Sequence, residues 1–167
     1  IGSQQAYCFP TFESYRRALE QKPASINAAH LIGHSTLRCS TMDNLDRPAR
    51  YEEIENMRTQ LRSSLHAGAI GFSTGLAYAP NQAATPDEVT ALAGELKEFG
   101  GIYATHMRDE GDQLFSALEE TFITARRADC PVVLSHHKCA SPKMWGRSVE
   151  SLARIDAAAE QQLVGLD

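Results

Sequence analysis

Imidazoles are the groups in this chain best suited to chemistry. Of six histidines, His34, His106 and His136 each directly follow a short run of apolar or small residues, the position that opens beyond a strand end. His106 and His136 stand thirty residues apart, and each comes straight after a small hydroxyl residue, Thr105 or Ser135. If the two runs are neighbouring strands, about 4.8 Å apart, both rings can reach one cation. A catalytic zinc takes three protein ligands and keeps one position open for water. His34 and Cys139 are nominal third ligands, but neither sits at a matching strand end beside the pair, so the third is expected outside residues 1–167.

Other polar groups cluster around this pair. Arg108, Asp109 and Glu110 follow His106. They read either as a carboxylate that orients a metal ligand and a guanidinium that binds substrate, or as an ion-paired loop with an acidic helix start. Lys138 follows His136 by two residues, and a lysine at a barrel strand end also admits Schiff-base chemistry. His34 and Arg38 read as a loop-orienting or structural pair. His137 is expected between strand and helix, because side chains alternate along a strand. His66, near a helix C-terminus, reads as structural, and Trp145 as a packing residue that follows Lys138 in a loop.

These groups are positioned by a repeating alternation of period two and period three to four. Strand-like runs begin near residues 27, 69, 102, 132 and 163. Between them lie amphipathic patterns over 12–19, 51–66, 89–99, 114–125 and 148–161. Thr85-Pro86-Asp87-Glu88 reads as an N-cap with proline at the first helical position, and Gly100-Gly101 as a stop. In the last helix, Val149, Leu152, Ile155 and Ala159 are expected on the inner face. Near-equal spacing of roughly thirty residues suits successive β-α units. No Gly-x-Gly-x-x-Gly follows any strand, which disfavours a dinucleotide fold. The expected class is α/β, a partial (β/α)8 barrel of roughly five units, with residues 1–167 a segment of a catalytic barrel domain incomplete at both ends.

Composition narrows the partners. The chain is 43% hydrophobic and 22% charged, with a net charge of −5, which is ordinary for a globular protein. It has no basic stripe of the kind nucleic acid demands and no apolar run near the roughly 20 residues of a membrane span. Ile1-Gly2-Ser3-Gln4-Gln5 has none of the features of a signal peptide. Four cysteines without a paired motif suit reduced thiols and a cytoplasmic setting.

Four runs carry a family resemblance: Gly33-His34-Ser35-Thr36-Leu37-Arg38, Gly68 through Tyr78 (GAIGFSTGLAY), Tyr103-Ala104-Thr105-His106-Met107-Arg108-Asp109-Glu110 and Ser135-His136-His137-Lys138. With the ending Gly165-Leu166-Asp167, they resemble the N-acyl-D-amino-acid deacylases, the D-aminoacylases of the amidohydrolase superfamily. The resemblance implies a (β/α)8 barrel and zinc-assisted hydrolysis of the amide of a small N-acyl-D-amino acid. It implies His106 and His136 as metal ligands, Lys138 as the group binding the substrate carboxylate, and Tyr78 as a neighbour of the scissile carbonyl. It also implies a cysteine ligand, a His-x-His pair and a general acid/base aspartate, none of which these residues match.

Overall fold

The computed structural model describes residues 8–167, so the reading of residues 1–5 lies outside the described residues. The chain runs α1 (Phe12–Gln21), β1 (Leu31–Gly33), α2 (His34–Thr41), α3 (Tyr51–His66), β2 (Gly71–Gly75), α4 (Ala79–Gln82) and α5 (Pro86–Ala93). A 3-10 segment, Gly94–Phe99, continues α5. Then come β3 (Ile102–His106), α6 (Leu114–Ala128), β4 (Val132–Leu134), a 3-10 turn at Pro142–Met144, α7 (Ser148–Ala159) and β5 (Val164–Leu166).

The five strands form one parallel sheet in the order β1-β2-β3-β4-β5. A doubly wound sheet reverses its strand order at a switch point. This sheet never reverses. Successive right-handed crossovers in one direction place the helices on one face, the construction of a (β/α)8 barrel wall. Five consecutive strands of such a wall, joined by four helical crossovers, are present, with the strands at the spacing the sequence predicts from β2 onward.

Local chemistry explains the boundaries. The Thr85 side chain accepts from the Glu88 backbone N–H, and Pro86 fills the first helical position. Gly100 closes the following turn with φ of 58°, a left-handed conformation that glycine takes without a Cβ clash. Asp129 ends α6 in the same region, with φ of 53°.

Packing follows the predicted faces in most helices. Met57, Leu61 and Leu65 of α3 and Val89 and Leu92 of α5 are buried with Phe72 and Tyr103 of the sheet. Leu114, Leu118 and Phe122 of α6 join Leu134, Met144 and Ile155 in a second cluster. Each fully buried aliphatic side chain contributes about 1.5–3 kcal/mol relative to exposure. Helix α7 differs from its expected phase: Ser151, Ile155 and Ala158 are buried, while Val149 and Leu152 are exposed. Ser151 turns inward because its hydroxyl meets the His137 ring, 3.0 Å away.

Two further corrections concern the first repeat. Strand β1 has only three residues and begins at Leu31, not near residue 27, and His34 opens a helix instead of a loop. That helix is held by a buried ion-pair cluster that no periodic pattern announces. Arg38 and His34 are fully buried, and both reach Glu88 Oε1, at 2.5 and 2.9 Å. Arg38 also donates to the carbonyls of Leu45, Arg47 and Pro80, which pins the loop after α2 and the short helix α4 to α2. Burial is the main cause that holds the His34 imidazole below its ordinary pKa, with Glu88 opposing and Arg38 adding to the shift.

Candidate metal centre

Strand alternation sets the first ligand position. Tyr103 and Thr105 are buried, and Tyr103 packs with the helix-covering core, so Ile102, Ala104 and His106 lie on the other face of β3. The polar edge beneath His106 is satisfied: Thr74 Oγ1 donates to Thr105 Oγ1 at 2.7 Å and lies 3.1 Å from the Tyr103 hydroxyl.

His136 reaches the same place by a different route. It lies two residues beyond Leu134, so unbroken alternation would put it on the helix-covered face with that leucine. Its φ is 44°, a left-handed conformation rare outside glycine, and this turns the ring toward His106. The bend is held from just beyond β5: the His136 backbone N–H donates to the Asp167 side chain, and the His137 N–H donates to the Asp167 carbonyl at 3.0 Å. His137 then falls against α7, as predicted. Positive φ at a non-glycine residue costs about 1–3 kcal/mol, and such strain concentrates at functional sites.

The result is a compact group. His106 Nδ1 lies 2.9 Å from His136 Nε2, and the ring centroids are 4.6 Å apart. Glu110, four residues beyond His106, completes a set of three ligand atoms within 4.8 Å of one another. Its side chain is only 10% exposed. Oε2 accepts from Lys138 Nζ at 2.5 Å. Oε1 lies 3.0 Å from His136 Nδ1, and this buried oxygen has no hydrogen-bond partner. Lys138 Nζ also stands 2.8 Å from His136 Nδ1. His106 is held below its ordinary pKa chiefly by burial, with Glu110 opposing and His136 and Lys138 adding to the lowering.

This donor set fits a divalent cation. Two imidazoles facing each other through His106 Nδ1 and His136 Nε2 are borderline nitrogen ligands of the kind zinc takes. Ligands of a tetrahedral zinc at about 2.05 Å stand about 3.3 Å apart. The 2.9 Å ring separation therefore needs to open by only a few tenths of an ångström. The unpartnered Glu110 Oε1 stands beside His136 Nδ1, the ring nitrogen turned away from His106.

The remaining sequence candidates divide. Tyr78 lies with its ring centroid 4.7 Å from that of His106, although more than half of its surface is exposed. Gly75 makes that approach feasible: it pairs with His106 in the β2–β3 register, and a Cβ there would lie 2.7 Å from the Tyr78 ring. Arg108 is taken up by protein groups, donating to Glu120 at 2.8–3.2 Å and to the carbonyls of Gln82 and Ala84. Asp109 caps the next turn through the Gly111 and Gln113 N–H groups. Trp145 is 70% exposed. Cys139 packs against the second core cluster, and all four cysteines are free. Sequence reasoning left Glu110 between two readings and gave no role to Asp167. The only signal for Glu110 was its place four residues after a histidine.

Comparison with known proteins agrees with the geometry. No family model matches the chain. A D-aminoacylase of Alcaligenes xylosoxydans xylosoxydans is 48% identical over 162 residues, 97% of this chain and 34% of that protein. A crystal structure of a D-aminoacylase, described as defining a novel subset of amidohydrolases, superposes with a TM-score of 0.93 at 46% identity, covering 94% of this chain and 33% of that one. The N-acyl-D-glutamate deacylase of Bordetella bronchiseptica, solved with zinc and a phosphonate mimic of the tetrahedral intermediate, superposes with a TM-score of 0.91 at 40% identity, covering 94% of this chain and 33% of that one.

The fold is a segment of an amidohydrolase barrel. Over nearly its whole length the chain is similar to D-aminoacylases and N-acyl-D-amino-acid deacylases, and it spans about a third of the length of the relatives it matches. No helix among the described residues is long and apolar enough to cross a membrane.

Proposed function

We propose that this chain carries part of the active site of a zinc-dependent hydrolase that cleaves the amide of N-acyl-D-amino acids, giving a carboxylate and a D-amino acid. The observation that carries this reading is the convergence of His106 and His136 at 2.9 Å, in a chain 48% identical to a D-aminoacylase. Residues 1–167 act as a segment of the catalytic barrel domain, and the general acid/base aspartate comes from outside them.

In this reading His106 and His136 hold the zinc through one ring nitrogen each. Bound zinc supplies a Lewis acid that polarises the scissile carbonyl and makes water nucleophilic near neutral pH. Lys138 binds the substrate carboxylate as a point charge beside the metal and so selects the stereochemistry presented to it. Tyr78, exposed against His106, contacts the substrate near the scissile carbonyl. Arg108 serves the substrate site through the loops that its carbonyl contacts fix at Gln82 and Ala84. The setting of Lys138 does not favour a Schiff base: nucleophilic lysines sit in apolar pockets or beside other cations, whereas this one faces a carboxylate. The partner is thus a small N-acyl amino acid, and four free cysteines suit a cytoplasmic location.

The test is metal analysis of the full-length protein with a panel of N-acetyl-D- and N-acetyl-L-amino acids. Turnover of D-enantiomers, lost with a chelator and restored by zinc, is expected. Turnover of L-enantiomers alone, or borohydride trapping at Lys138, contradicts the reading.

A further inference from the structure

Glu110 has a task that the two-histidine reading does not assign. Its Oε2 takes the Lys138 ammonium at 2.5 Å, and its buried Oε1 stands 3.0 Å from His136 Nδ1 with no hydrogen bond made. His136 instead receives the Lys138 ammonium on Nδ1 at 2.8 Å. An imidazole that accepts on Nδ1 and is neutral carries its proton on Nε2, the atom that faces His106. That tautomer cannot ligate through Nε2. To present an Nε2 lone pair, His136 must carry its proton on Nδ1 and find an acceptor there. Glu110 Oε1 is the one unpartnered acceptor beside it among the described residues. The Glu110 backbone is tied to the segment after His136 and Lys138, since its carbonyl accepts from the Ala140 N–H at 2.8 Å.

We propose that Glu110 is a positioning residue: it accepts the His136 Nδ1–H, so that Nε2 faces the cation, and with its other oxygen it anchors Lys138. This rests on the metal reading above. Carboxylates that accept from a metal-ligating imidazole fix its tautomer and raise its basicity, and their loss costs about 10- to 100-fold in metal affinity or activity. One carboxylate thereby couples the metal ligand to the substrate-binding ammonium.

The experiment measures zinc affinity by chelator competition in the full-length wild-type protein, E110Q and H136N. Expected are tight zinc in wild type, loss in H136N, and a dissociation constant raised about 10- to 100-fold in E110Q. E110Q that holds zinc as tightly as wild type overturns the role of Glu110 and leaves the metal reading standing. Wild type that holds no zinc overturns the metal reading itself. A second measurement avoids dependence on any variant's folding: nitrogen NMR of zinc-loaded, histidine-labelled wild type. A protonated, hydrogen-bonded Nδ1 and a metal-bound Nε2 on His136 are expected, and ligation through Nδ1 overturns the proposal.

Discussion

Asp167 holds the backbone of His136. Its side chain accepts the His136 N–H and its carbonyl accepts the next N–H, at the point where φ turns positive. The residue that follows β5 thus fixes the direction of a ring two residues beyond β4, and the centre depends on a hydrogen bond between groups 31 residues apart. Replacing Asp167 by Ala removes the acceptor while leaving both histidines in place. The expected outcome is weaker zinc retention at nearly unchanged secondary structure, measured by chelator competition and circular dichroism. Unaltered zinc retention would mean that Asp167 does not hold the ring.

With Lys138 as the proposed carboxylate-binding group, K138M is expected to lower kcat/KM by about 10- to 100-fold, the worth of one charge-assisted hydrogen bond. The loss should fall mainly on KM. Substrates whose carboxylate is blocked as an amide should be turned over equally by wild type and variant. Equal losses on blocked and free substrates would remove the assigned role.

Gly75 lets the Tyr78 ring lie against His106. In G75A the new methyl group would meet that ring at 2.7 Å, so the tyrosine must move. Activity is expected to fall several-fold, with a small change in thermal midpoint. Full activity in G75A would place Tyr78 outside the reaction.

The buried cluster of His34, Arg38 and Glu88 makes stability fall in acid. His34 is held below its ordinary pKa, mainly by burial. Glu88 is also held below its ordinary value: burial acts against this, and hydrogen bonds from His34 and Arg38 outweigh it. In both cases the folded state binds fewer protons than the unfolded one, so protonation favours unfolding. The His34 part is present above about pH 6.5 and is lost as pH falls through the folded value; the Glu88 part behaves likewise below about 4.3. The denaturant midpoint is expected to drop between pH 7 and 5, and H34Q should flatten that drop. R38A strands the Glu88 carboxylate and is expected to cost about 3–5 kcal/mol. A midpoint independent of pH would contradict both assignments.

Much of this was legible in the sequence, and the reasons differ by element. Thr85-Pro86, Gly100 and the apolar face of α6 act locally, so their residues announce the boundaries they create. Helix α2 is silent in sequence because its stability comes from a buried ion pair with Glu88, some fifty residues away. The α7 phase was missed because a serine takes a core position to satisfy His137, which no hydrophobic pattern encodes. His106 and His136 were legible through their repeat spacing. The backbone turn at His136 and the pairing of Glu110 with Lys138 are tertiary, and only the assembled sheet brings them together.

The central claim is that two imidazoles from neighbouring strands share one cation. X-ray absorption at the zinc edge of the full-length protein tests it most directly. Wild type is expected to show imidazole nitrogens at about 2.0–2.1 Å, with one fewer in H106N and in H136N. A zinc shell without imidazole scattering, or one unchanged in both variants, would contradict the account.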